Sequence, residues 1–114
     1  MSGITLKQLR YFDALARELH FGRAAEASSI SQPALSLQIK ELEALAGAPL
    51  VERTARKVQL THFGEVFLER ARKVLSEVED MSELARKPDG PLKGTLRDMY
   101  APIMPSRYSL PLYR

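Results

Sequence analysis

The stretch from His62 to Lys87 carries no proline, and its only glycine lies near the start, so one helix can run through it without a break. Its apolar residues Phe63, Phe67, Ala71, Val74, Val78, Met81 and Ala85 are spaced by alternating fours and threes after the first step, the period of a coiled-coil seam. Thr61 can cap such a helix, and Pro88, Asp89 and Gly90 would end it. At 1.5 Å per residue a helix of about 26 residues runs about 39 Å. A chain of 114 residues has room for one small domain beside it, and that domain cannot cover the whole seam. Much of the seam therefore needs a second copy of the chain.

The residues before Thr61 read as three helices and a hairpin. Thr5 is placed to cap a first helix, with Gln8 three residues on completing a capping box, and Leu6, Leu9, Phe12, Ala16 and Leu19 follow as one apolar stripe. Gly22 interrupts, and Arg23 to Ala27 form a second, short helix. Ser28, Ser29 and Ile30 make a turn. Ser31 caps a third helix with Pro33 in its first turn, and Gly47 ends it after Ala46. Leu35, Ile39, Leu42 and Ala46 share one face of that helix and predict its core side. The opposite face carries Pro33, Ser36, Leu37 and Lys40, with no acid in its N-terminal half. Leu50 to Arg53 and Val58 to Leu60, joined by a polar turn, predict a two-stranded hairpin.

Charge narrows the function by its position more than by its total. The net charge is +3, a value shared by many soluble proteins. Residues 1 to 61 hold eight lysines and arginines against six acids, and residues 62 to 87 hold five against six. Within the first block Arg53, Arg56 and Lys57 fall in five residues with no acid among them. A cationic hairpin beside a helix whose exposed front lacks acids suits a polyanion.

The runs Phe21-Gly22-Arg23-Ala24-Ala25, Ser31-Gln32-Pro33-Ala34-Leu35-Ser36, Gln38-Ile39-Lys40 and Leu42-Glu43 are in register with Gly47, Leu50, Glu52-Arg53, Val58, Leu60-Thr61 and Gly64. Together they resemble the signature of the LysR-type transcription regulators over about residues 4 to 87. The resemblance implies a mainly α fold: a winged helix-turn-helix over 4–61, with the helix-turn-helix at about 21–40, then a long linker and dimerisation helix over 62–87. It implies double-stranded DNA as partner, with Ser31, Gln32, Pro33, Ser36 and Lys40 at the groove. Leu37 stands where many relatives carry arginine, which points to an apolar contact with a thymine methyl. Arg53, Arg56 and Lys57 from the wing, with Arg23, would lie along the phosphates. If all four engaged in each protomer, a dimer would neutralise about eight phosphates and show a log-log salt slope of about −7. The resemblance further implies a homodimer through residues 63 to 85, with tetramers only where an effector domain is present.

Other chemistries lack their residues. There is no cysteine, and His20 and His62 have no ligand-spaced partners, so no metal or cofactor is expected. Asp13, His20 and the serines fit no nucleophile arrangement, and no glycine-rich phosphate loop is present, so an enzyme is not expected. With neither signal peptide nor membrane span, the expected place is the cytoplasm. A winged helix serving as a protein-protein or RNA interaction module is the alternative reading. The segment Asp89 to Arg97 resembles the start of the family's effector domain, in wording nearest the OxyR-type, peroxide-inducible branch, as does His20-Phe21-Gly22-Arg23. That branch senses oxidant through effector-domain cysteines, so these 114 residues are expected to bind DNA without responding to peroxide. Residues 98 to 114, with Pro102, Pro105 and Pro111, lose the pattern and read as an irregular tail after a truncated effector start, left by a frameshift, a truncation or an artificial boundary.

Overall fold

The computed structural model describes residues 3–87. Its elements are α1 (Leu6–Glu18), α2 (Phe21–Ala27), α3 (Gln32–Ala46), β1 (Val51–Arg53), β2 (Val58–Leu60) and α4 (His62–Ala85). Residues 3–76 belong to one compact unit, and α4 from Glu77 onward belongs to a second, taken separately below. The Asp89–Arg97 reading and the irregular tail lie outside the described residues.

Local capping sets where each helix begins. The Thr5 side chain accepts from the Gln8 amide while Gln8 Oε1 accepts from the Thr5 amide, at 3.1 and 3.0 Å, so the expected capping box is formed. α2 starts two residues earlier than its sequence suggests. His20 is its N-cap, with Nδ1 accepting from the Arg23 amide at 3.0 Å, and Gly22 lies inside the helix instead of before it. Ser31 Oγ accepts from the Ala34 amide at 3.2 Å, and Gly47 closes α3 with a φ of 90° that a side chain would resist.

The core joins Phe12 and Leu15 of α1, Phe21, Ala24 and Ala25 of α2, Leu35, Ile39 and Leu42 of α3, and Leu50. The stripe expected on α1 is corrected at three positions: Leu6 and Leu19 are exposed, and Leu15, absent from that stripe, is fully buried. Leu19 is the C-cap of α1 in left-handed geometry, φ 50°, which carries it off the helix's buried side. Phe67 and Leu68 of α4 pack against this core, and the rings of Phe12 and Phe67 meet edge-on at 5.9 Å. The first turns of α4 are thus part of the unit that α1 to α3 build.

Two polar devices tie the elements together. Asp13, buried on α1, accepts from Arg72 of α4 at 2.7 Å and pairs with Arg17 one turn along at 2.9 Å. Glu43 of α3 accepts with one oxygen, Oε2, from the amides of Leu50 and Val51, at 2.8 and 3.2 Å, and so holds the entry to β1. The hairpin is antiparallel, with Val51 facing Leu60 and Arg53 facing Val58. Thr61 then makes the corner into α4. Its hydroxyl donates to the Pro49 carbonyl and accepts from the Gly64 amide, both at 2.8 Å.

Candidate nucleic-acid interface

The second helix of a helix-turn-helix presents its N-terminal end, and here the capping chemistry leaves that end open. Gln32 and Pro33 occupy the first turn of α3, both exposed, with no acidic side chain among them. Ser31 takes the Ala34 amide, Pro33 has no N–H and the Leu35 amide donates to the Ser31 carbonyl, so in this first turn the Gln32 N–H is the one left for an outside acceptor, where the helix dipole favours negative charge. Leu35, Ile39 and Leu42 turn inward, so Ser36 stays half-buried while Leu37 and Lys40 are exposed on the outward side. Leu37 is 56% exposed, a large apolar side chain left more than half open by the described residues. The Gln32 side chain reaches back toward α2, where a Cβ on Gly22 would lie 3.5 Å from its Oε1.

The wing brings its cations beside this face in two different states. Arg56 and Lys57 stand exposed at the hairpin tip, which is closed by the Thr54 amide donating to the Lys57 carbonyl at 2.8 Å. Among the described residues neither side chain has an ion pair or a ring contact. Arg53 is held. Its guanidinium lies 3.7 Å from the centroid of the Phe21 ring and donates to Ser36 Oγ at 2.7 Å. Arg23 is also engaged, bonded through Nε to the Glu18 carboxylate at 3.3 Å and through Nη2 to the Glu18 carbonyl at 3.2 Å. The structure thus sets Arg53 of the wing against Ser36, on the side of α3 that also carries Gln32, Pro33, Leu37 and Lys40, and leaves Arg56 and Lys57 at the hairpin tip. Sequence alone missed the Arg53 tie to Ser36 and Phe21, because a contact between a strand and two helices leaves no local pattern.

The seam of α4 divides. Ala71 is only 3% exposed, buried by its own unit, so it is corrected from partner contact to internal packing; Phe67 likewise turns to Phe12. The physical reason is that α1 and the core occupy the side of α4 on which these two residues lie, and Asp13 anchors Arg72 beside them. Phe63, Val66 and Val74 stay exposed. In the distal part of α4, taken alone, Met81 is 69% exposed, Leu84 and Ala85 are exposed, Val78 is half-buried, and Arg86 pairs with Glu83 at 2.7 Å. Val66 and Leu84 fall outside the alternating pattern and were not found in the sequence.

Among the described residues no cluster of His, Cys, Asp or Glu is placed to hold a metal ion, and no helix is long and apolar enough to cross a membrane.

The chain is similar to bacterial transcription regulators and to solved DNA-binding domains. It is 52% identical over 91 residues to the HTH-type transcriptional regulator BudR of Klebsiella aerogenes, covering 80% of this chain and 64% of that protein. A hydrogen peroxide-inducible genes activator of Pectobacterium carotovorum is 43% identical over 93 residues, covering 82% of this chain and 31% of that protein. The chain therefore spans less than two thirds of the length of either relative. Full-length OxyR from Pseudomonas aeruginosa, solved as a variant, superposes with a TM-score of 0.72 at 44% identity, over 78% of this chain and 30% of that one. The DNA-binding domain of CbnR, crystallised with DNA, superposes with a TM-score of 0.69 at 36% identity, over 73% of this chain and 95% of that domain. The family model for bacterial regulatory helix-turn-helix proteins matches residues 6–65, more than half of the sequence, and the chain belongs to that family, the LysR family.

Proposed function

We propose that this chain binds double-stranded DNA in a sequence-dependent way and regulates transcription, with the front of α3 in the major groove and the wing against the flanking phosphates. The observation that carries this reading is the acid-free face of Gln32, Pro33, Ser36, Leu37 and Lys40, reached by the wing through Arg53, with Arg56 and Lys57 exposed at the wing tip and in no ion pair among the described residues. Gln32 can donate and accept at once, which matches the edge of adenine, and Leu37 offers an apolar surface to a thymine methyl. Likeness to the CbnR domain solved with DNA supports the same docking.

Two copies would pair through the exposed residues of α4, Phe63, Val66 and Val74 in the compact unit and Met81 and Leu84 beyond it, so that two recognition helices meet successive turns of DNA. Higher assembly would need an effector domain. A DNA partner in a bacterial regulator family supports the cytoplasm as its location.

Membership of the peroxide-inducible branch is supported by the OxyR structure and the peroxide-inducible activator, while the higher identity to BudR supports a different branch. The 114 residues hold no cysteine, so peroxide chemistry has no thiol to run on within them.

Selection of duplexes from a random pool, followed by footprinting in excess random DNA, tests the reading. A protected site that survives the competitor is expected. Equal loss from every sequence would assign the wing and α3 to a protein or RNA partner instead.

A further inference from the structure

Arg53 stands apart from the other wing cations because it is bound on two sides before any ligand arrives. Its guanidinium lies over the ring of Phe21, the buried first residue of α2, and its Nη2 donates to Ser36 Oγ on α3 at 2.7 Å. The side chain runs from the end of β1 to both helices of the helix-turn-helix. A planar guanidinium stacked on an aromatic ring is restricted to few orientations. A phosphate contact from it would have to share a group already fixed by the fold.

The consequence falls on Ser36. A serine hydroxyl has one proton and two acceptor lone pairs, and it rotates to suit its partners. Accepting from a cation fixes the oxygen's lone pair toward Arg53 and turns the proton away from the positive charge. Among the described residues the Arg53 bond is the only hydrogen bond the Ser36 side chain makes, so none of them claims its proton. We infer that Arg53 is a positioning residue that makes Ser36 a hydrogen-bond donor at the recognition face, in place of a cation that grips phosphate. This rests on the DNA-binding reading above. A hydroxyl set to donate pairs with acceptor atoms on the major-groove edge, purine N7, guanine O6 or thymine O4, and is mismatched to the amino groups of adenine and cytosine.

Two consequences separate this role from a phosphate contact. Arg53 contributes nothing to counterion release, so two of the eight phosphate contacts counted from sequence drop out and the salt slope of a dimer becomes about −5 in place of about −7. Removing Arg53 frees Ser36 to donate or accept, which relaxes preference at one base pair by about fivefold, the usual worth of one neutral hydrogen bond.

The test uses the full chain and a duplex recovered by random-pool selection, with affinity measured at several salt concentrations and with each base pair varied. Arg53→Met, Arg53→Lys and Ser36→Ala should all lose preference at the same base pair. Combining Arg53→Met with Ser36→Ala should add no further loss, and the slope should stay at its starting value. The inference is overturned if Arg53→Lys keeps the preference while Arg53→Met lowers the slope by about 1.8 per dimer and weakens all sequences alike, the behaviour of two lost phosphate contacts. Arg53→Lys keeps the test decisive if the methionine variant fails to fold, because it retains charge but cannot stack as a plane. A wild-type chain that selects no duplex would sink the DNA-binding reading itself, whereas a selective wild type with the phosphate pattern sinks only the role given to Arg53.

Discussion

Asp13 and Arg72 lie 59 residues apart in the chain and meet at 2.7 Å, joining the first helix to the last. The carboxylate is 12% exposed and the guanidinium 50% exposed, so the pair is half in water and its strength is discounted accordingly. Asp13 also keeps Arg17 as a partner.

Arg72→Ala is therefore expected to lower stability by about 1 kcal/mol, near the value of one partly screened charged hydrogen bond. Asp13→Ala should cost more, about 2 to 3 kcal/mol, because it leaves a space in the core side of α1 and strands both arginines. Urea unfolding of the two variants checks the order. Equal losses would mean that the Asp13–Arg17 pair adds nothing beyond the link between α1 and α4.

Gly64 sits where the fourth helix passes the carbonyl of Leu50. A Cβ there would collide with that oxygen and come within 3.0 Å of its carbon, and backbone atoms cannot swing aside. Gly64→Ala should cost about 3 kcal/mol despite the helix propensity gained by alanine. Thermal unfolding reads this directly, and a neutral or stabilising substitution would show that α4 starts differently.

Leu37 makes a prediction at the level of a single methyl group. Replacing thymidine by deoxyuridine in a selected duplex removes only the 5-methyl. If Leu37 covers one, affinity should fall about fourfold at that position, about 0.8 kcal/mol. With Leu37→Ala the difference between the two duplexes should shrink. Titration of the four combinations decides it, and insensitivity at every thymidine would remove Leu37 from the base contacts.

The divided seam of α4 predicts opposite outcomes for neighbouring residues. Val74→Glu places a charge on an exposed apolar position and should shift equilibrium sedimentation toward monomer while stability changes by no more than about 0.5 kcal/mol. Ala71→Glu puts a charge into the chain's own packing and should destabilise the unit by more than about 3 kcal/mol. A monomeric wild type at high micromolar concentration would instead end the dimer proposal.

The third helix could be read almost completely from sequence because its limits are local: Ser31 caps it, Pro33 fits its first turn, and Gly47 closes it. The capping box of Thr5 and Gln8 and the two short strands of the hairpin are local in the same sense. What escaped depends on other signals. His20 caps α2 through a ring nitrogen, a choice outside the usual capping residues, and this moved the helix start past Gly22. Leu19 left the stripe because the chain turns left-handed there, and Leu15 took its place in the core. The ties Asp13–Arg72 and Arg53–Ser36 join elements far apart in the chain, so no periodicity announces them. Among the cations named for the interface, which ones are committed within the chain was not legible in the sequence.

The Glu43 carboxylate, seated beneath Leu50 and Val51, gives the rear of α3 a task independent of its front. Leu35, Ile39, Leu42 and Glu43 are answerable to the interior, whereas Gln32 and Leu37 look out on solvent and support nothing behind them. Outward residues of this kind can be exchanged at a cost within about 0.5 kcal/mol. If those outward residues read bases as proposed, such a scaffold lets its target drift one letter at a time: the lock can be recut many times without rebuilding the door.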